Sequence, residues 1–184
     1  MRKLILVLSL FYISCLYALS SATVIHAGLL INGESSFPSP EMSIVVKGSK
    51  IEAIETGFIT PDSEDEFIDL SGYTVLPGLI DMHVHLGSEY SKNSYQERIT
   101  LNAGDYAIRA VANAQKTLMA GFTTVRNLGG SDGVTISLRN AITKGIVTGP
   151  RIFSSGTTIA SSGGHGDSTN SLNKSLTSDP GASK

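Results

Sequence analysis

Cysteine and charge are what this 184-residue sequence has least of. It holds one Cys, no Trp, and 14 Lys and Arg against 16 Asp and Glu, with charged residues at 16%. A single cysteine excludes an internal disulfide framework and every zinc-finger type of cysteine site. Any metal site must therefore be built from imidazoles and carboxylates. A net charge of −2 leaves no basic footprint for nucleic acid. Hydrophobic residues at 41% exclude the low-hydrophobicity, high-charge composition of disordered chains. The chain is also too short for a complete (β/α)₈ barrel, which typically needs about 250 residues.

The apolar content is concentrated at the start. Met1-Arg2-Lys3 is basic, Leu4 to Leu19 is almost wholly apolar, and Ala18-Leu19-Ser20-Ser21-Ala22 supplies small residues. That layout predicts a secretory signal peptide over residues 1–22, cleaved near Ser20 or Ala22. The apolar run falls short of the ~20 residues that span a bilayer, so no stable membrane span is expected after cleavage. The mature protein is expected in the periplasm or outside the cell. A lipid-modified Cys15 is a less favoured alternative, because Tyr12 is bulky where such sites prefer a small aliphatic residue. Cleavage removes the only cysteine and makes the net charge two units more negative.

Residues 23–72 read as short strands and turns. Val24–Ile31 ends at Asn32-Gly33, and Ser35–Pro40 is a Pro- and Ser-rich loop. Ser43–Lys47 and Lys50–Ile54 flank Gly48-Ser49, the pattern of a hairpin with a type II′ turn. Phe67–Leu70 is one more short strand. His26 lies alone on the first strand with no second ligand nearby, which predicts a surface position.

From residue 73 the rhythm changes to strand and helix. Thr74 to Leu86 ends in an apolar strand, and Glu97 to Ala120 carries Tyr106, Ala110, Val111, Ala114 and Leu118 at helical spacing, followed by a capping Gly121. Phe122–Leu128 is a second strand. Asp132 is placed to cap a helix bearing Val134, Leu138, Ala141 and Ile142, and Pro150–Ser155 forms a third strand. This alternation predicts a parallel sheet with crossover helices over residues 73–167. The polar tail, residues 168–184, reads as a loop cut before its next element.

His83-Val84-His85 is the informative motif. Alternate strand residues share a face, roughly 6.5 Å apart at about 3.3 Å rise per residue, so two imidazoles at a strand end can converge on one metal ion. A solvated polar pair at the sheet rim is the competing reading. Asp81 falls on the same side of that alternation, either behind the imidazoles as a hydrogen-bond partner or within a buried layer.

Val75-Leu76-Pro77-Gly78-Leu79-Ile80-Asp81-Met82-His83-Val84-His85 resembles the signature of the metal-dependent amidohydrolase superfamily. The similarity continues through Ala120 to Gly130, Gly149-Pro150-Arg151 and Gly163-Gly164-His165-Gly166-Asp167, and points to the imidazolonepropionase-like branch with its Xaa-Pro dipeptidase relatives. The resemblance implies an α/β architecture: a small N-terminal β-sandwich portion, then the first three βα units of an incomplete (β/α)₈ TIM barrel. It implies that His83 and His85 bind a divalent metal, usually zinc, as one or two ions in the full-length enzyme. Such a metal activates water to hydrolyse an amide or related C–N bond. It implies substrate contact for His165, a small-molecule or dipeptide substrate, and a possible homo-oligomer in the full-length form. Relatives commonly read Arg-Asp-Leu-Gly where this chain has Arg126-Asn127, and Arg126 is expected in an ion pair or against a helix.

The family site also takes a Lys or Glu, two further His and an Asp, none of which can be placed here. A catalytic zinc normally has three protein ligands and an open position. The expectation is an N-terminal fragment, inactive alone, of an exported amidohydrolase. A non-catalytic or merely metal-binding remnant is the second reading, and a deaminase or cyclic-amide hydrolase the alternative for the full enzyme. Three barrel strands cannot close, which predicts an exposed apolar sheet face and poor solubility or assembly with a partner fragment.

Overall fold

The computed structural model describes residues 21–130, 132–167, 169, 170 and 173, and divides into two compact units at Pro77/Gly78. Residues 1–20 of the expected leader, and most of the tail with Lys174 and Asp179, lie outside the described residues. Among the described residues no helix is long and apolar enough to cross a membrane.

The N-terminal unit holds β1 (Thr23–Leu30), β2 (Ser39–Lys47), β3 (Lys50–Thr56) and β4 (Glu66–Val75) in one sheet of order β3-β2-β1-β4. β1 pairs antiparallel with β2 and parallel with β4. The hairpin forms as expected. Gly48 takes φ +59, while Ser49 is not among the positive-φ residues, as a type II′ turn requires. Two strands outrun expectation. β2 begins at Ser39, inside the anticipated loop. Pro40 is tolerated because β3 reaches only Met42, leaving β2 without that neighbour there. β4 continues to Val75 because the β1–β4 register shifts between Ala27 and Leu29. At that shift Gly28 lies so close to Ser71 that a Cβ would overlap the Ser71 carbonyl. Ala27, Leu30 and Ile44 form the small core.

His26 departs from its expected surface role. Its ring stacks on Phe58 at 4.6 Å and meets Phe67 edge-on at 4.7 Å, with Nε2 at 2.8 Å from the Ile59 carbonyl oxygen. The 57–59 loop supplies the contact that the isolated strand pattern does not show. Ser43, fully buried, holds the same loop. Its hydroxyl donates to Gly57 O and accepts from Ile59 N–H.

The C-terminal unit contains β5 (Leu79–Val84), α1 (Ser94–Thr100), α2 (Ala103–Met119), β6 (Phe122–Asn127), α3 (Val134–Thr143) and β7 (Arg151–Ser154). The strands make a parallel sheet of order β5-β6-β7. Ala110 and Ala114 of α2 are fully buried against Val125 and Ile152, with Val134 and Leu138 of α3 in the same cluster. The single helix expected from Glu97 is instead two. The chain is extended at Leu101 and Asn102, and Asp105 Oδ2 accepts the Asn102 backbone N–H at 2.9 Å, starting a fresh helix. α3 is likewise not capped by Asp132, which sits at φ +56. Gly133 in the left-handed region occupies the N-cap without a side-chain bond. β5 and β7 are the outer strands of the sheet. Ile80, Met82 and Phe153 on these two strands are more than half exposed.

Candidate metal centre

β5 delivers His83 and His85 to its C-terminal end. Their Nε2 atoms stand 3.3 Å apart, with ring centroids 5.3 Å apart. Two nitrogens each about 2.05 Å from a tetrahedral zinc would be separated by about 3.3 Å. The separation of the two nitrogens therefore matches the span of two ligands on one tetrahedral ion. No cluster of three or more His, Cys, Asp or Glu suited to a metal occurs among the described residues.

Both imidazoles line a cavity of about 680 Å³ with His165, Tyr106, Glu97 and Arg109. The glycine-rich turn brings His165 there. Asp167 Oδ2 accepts the Gly163 N–H at 2.7 Å, and Gly164 N–H bonds the Ser161 carbonyl. Glu97 and Arg109 are an unanticipated pair at this wall. Arg109 Nη1 lies 2.7 Å from Glu97 Oε2, and the guanidinium holds the Glu97 carboxyl below the ordinary range while its own pKa rises. Tyr106 OH donates to Glu97 O, so the bonds tie α1 to α2.

Asp81 does not hydrogen-bond an imidazole. Its Oδ1 accepts the backbone N–H of His83 at 2.9 Å. The β5–β6 register is irregular between Asp81 and Val84, which breaks the simple alternation that placed Asp81 and His83 on one face. Asp81 lines a neighbouring hollow beside Val84 and Phe122, which His85 also borders. Arg126 makes no ion pair among the described residues. Its Nε donates to Met82 O at 2.7 Å, binding β6 to β5 through the same irregular stretch.

The residue that sequence reasoning passed over is Asn127. It is fully buried at the end of β6, where Oδ1 accepts the Leu86 N–H and Nδ2 donates to Gly129 O, both at 2.8 Å. Gly129 O is also 3.3 Å from His85 Nδ1. The available signal was Asn127 itself, standing where the resemblance noted above leads to the expectation of Asp.

Comparison with known proteins adds the lineage. A solved Xaa-Pro dipeptidase with methionine bound in its active site is 48% identical with TM-score 0.79, covering 87% of this chain and 39% of that one. A prolidase complexed with N-methylphosphonate-L-proline is 34% identical with TM-score 0.68, covering 80% and 35%. Ochratoxinase of Aspergillus niger is 27% identical over 154 residues, 80% of this chain and 31% of that protein. The chain thus spans between 31% and 39% of the length of these relatives. Residues 74–183 match the model of the amidohydrolase family. Since that match takes in both imidazoles, the second strand and the His165 turn, this chain belongs to the amidohydrolase family.

Proposed function

We propose that the chain is the N-terminal part of an exported, zinc-dependent amidohydrolase acting on a small peptide, and that it supplies two of the ligands of the metal site. The observation that carries this reading is the 3.3 Å approach of the His83 and His85 Nε2 atoms at the mouth of the 680 Å³ cavity. In that reading β5, β6 and β7 are the first three strands of an eight-stranded barrel, and the sheet of β1–β4 is part of a β-sandwich. The resemblance to a Xaa-Pro dipeptidase and a prolidase favours a dipeptide substrate.

A bound zinc would supply a nucleophilic water at neutral pH and polarise the scissile carbonyl. The protein's own residues do the rest. Asp81 fixes the backbone of His83, and Asn127 and Gly129 fix that of Leu86 and the ring of His85. His165 presents a ring to the same cavity, where it can donate to a substrate carboxylate or carbonyl oxygen. The Glu97–Arg109 pair forms part of the cavity wall. With no group of three ligating side chains gathered among the described residues, the 184-residue chain is expected to bind zinc weakly and not to turn over substrate.

Export is part of the proposal. Ala22 already belongs to the fold, since its N–H bonds Asp65 Oδ1 and its carbonyl accepts from Glu66. That favours cleavage after Ser20 over cleavage after Ala22.

The test is zinc titration by calorimetry, alongside a dipeptide panel. The expected result is zinc affinity in the micromolar range or weaker, lost in His83→Ala, with no hydrolysis above buffer. Zinc binding that survives His83→Ala and His85→Ala overturns the metal site. Turnover by the chain alone overturns its reading as a part.

A further inference from the structure

We propose that Asn127 is a positioning residue that fixes the tautomer of His85. Acting through the Gly129 carbonyl, it holds the proton on Nδ1 and leaves Nε2 bare and turned toward His83. Nothing about the metal is needed to reach this. Gly129 O can only accept, so the imidazole nitrogen 3.3 Å from it must carry the proton for a hydrogen bond to exist. That leaves Nε2 as the unprotonated nitrogen, the atom that stands 3.3 Å from His83 Nε2.

Asn127 controls where the carbonyl points. Its amide has one orientation open to it, because Leu86 N–H is a donor and Gly129 O an acceptor. Oδ1 must therefore face Leu86 and Nδ2 must face Gly129. The side chain is fully buried, so neither contact has water to replace it. One side chain thereby locks the strand end that follows His85 and the carbonyl that His85 reads. Ser155 N–H bonds Asn127 O from the other side, and Leu128 N–H bonds Val84 O, so the hub is anchored to all three strands. Gly129 itself admits no side chain, since a Cβ there would overlap Thr158. An aspartate at 127 would still accept from Leu86 but, when ionised, could not donate to Gly129. The Asp that relatives commonly carry here thus keeps the Leu86 contact alone, and the bond that orients the Gly129 carbonyl is particular to the asparagine. Asparagine is the residue that serves both contacts in one orientation.

The consequence for metal binding rests on the function proposed above: a neutral imidazole with Nε2 free is ready to ligate without a proton shift. The tautomer itself belongs to the metal-free chain, so its test is separate from zinc titration.

The experiment uses the 184-residue chain labelled with ¹⁵N-histidine, in multiple-bond ¹H–¹⁵N spectra recorded well above the ordinary imidazole pKa of about 6.5. His85 is assigned by its absence in His85→Gln. The expected result is a protonated Nδ1 and an unprotonated Nε2 at His85, and slowed exchange of one Asn127 side-chain amide proton. In Asn127→Asp, checked for an otherwise unchanged amide spectrum, the His85 signals should move to a mixture of tautomers. An Nε2–H tautomer in the unaltered chain overturns the proposal. So does solvent-rate exchange of both Asn127 amide protons. A folded Asn127→Asp variant with unchanged His85 signals also overturns it. The first two readouts need no variant, so a failure of Asn127→Asp to fold leaves the decision with them.

Discussion

The two units each place histidine on a strand and use it in opposite ways. In the N-terminal unit His26 sets its Nε2 against the Ile59 carbonyl, stacks on Phe58 and meets Phe67 edge-on. Its Nε2 is taken up by the fold. In the C-terminal unit His85 spends only Nδ1, on Gly129, and His83 and His85 turn their Nε2 atoms toward each other at an open strand end. The lesson is that an imidazole's availability depends on which nitrogen the fold has taken. A residue lying in a sheet with a loop folded over it becomes packing. The same residue at the C-terminal end of a parallel strand turns its second nitrogen into a cavity, where it meets a neighbouring imidazole instead of a loop carbonyl.

Exchanging the two kinds of histidine would break this comparison most sharply. His85→Ala should abolish measurable zinc binding in calorimetry, whereas His26→Ala should leave it unchanged. Equal losses in both would show that the distinction is false. Next in size is the packing beneath the imidazoles. Ala114 is fully buried in the cluster with Val125 and Ile152, so Ala114→Leu should destabilise the C-terminal unit by about 1–3 kcal/mol. Chemical denaturation monitored separately in each unit should show the N-terminal midpoint unmoved. His26→Ala should do the reverse, lowering the N-terminal midpoint by about 1–2 kcal/mol from its two aromatic contacts and one hydrogen bond. The smallest effect concerns the α1 brace. Glu97 has a depressed pKa in the folded chain, so the unfolded state binds the proton more readily. The brace is then fully present above the ordinary Glu pKa of about 4.3 and is lost as the pH falls through the lower folded value. Protection factors in α1, taken against the intrinsic exchange rate at each pH, should fall on acidification through that window, and Glu97→Gln should remove this pH dependence without affecting β1–β4.

The sequence was legible where a local rule and the tertiary structure agree. Gly48-Ser49 makes its turn, the Ala110 and Ala114 stripe meets the sheet, and Gly121 follows α2, because each depends on residues a few positions apart. It was not legible where distant residues decide. The run from Glu97 to Ala120 has one helical period throughout, yet Asp105 captures the Asn102 N–H and divides it. Asp132 has the right chemistry for a cap but the backbone turns left-handed there and at Gly133. Asp81 shares a strand parity with His83 that the irregular β5–β6 register cancels. Asn127 reads as an ordinary strand residue until Leu86 and Gly129, one of them 41 positions away, are brought to its amide. The HxH pair was visible as a pattern, but its 3.3 Å approach depends on the strand end being held from β6.

One contact in the quieter unit bears on how that unit comes apart. Ile59 belongs to no strand, yet its amide hydrogen is given to the Ser43 hydroxyl, which is shut away from water at the centre of the sheet. For solvent to reach that hydrogen, the 57–59 loop must lift from β2, giving up its bonds to Ser43 and His26 together. A loop amide therefore becomes a gauge of how firmly the loop is clamped to the sheet, and it should exchange in deuterium before the innermost strand positions and faster still in Ser43→Ala.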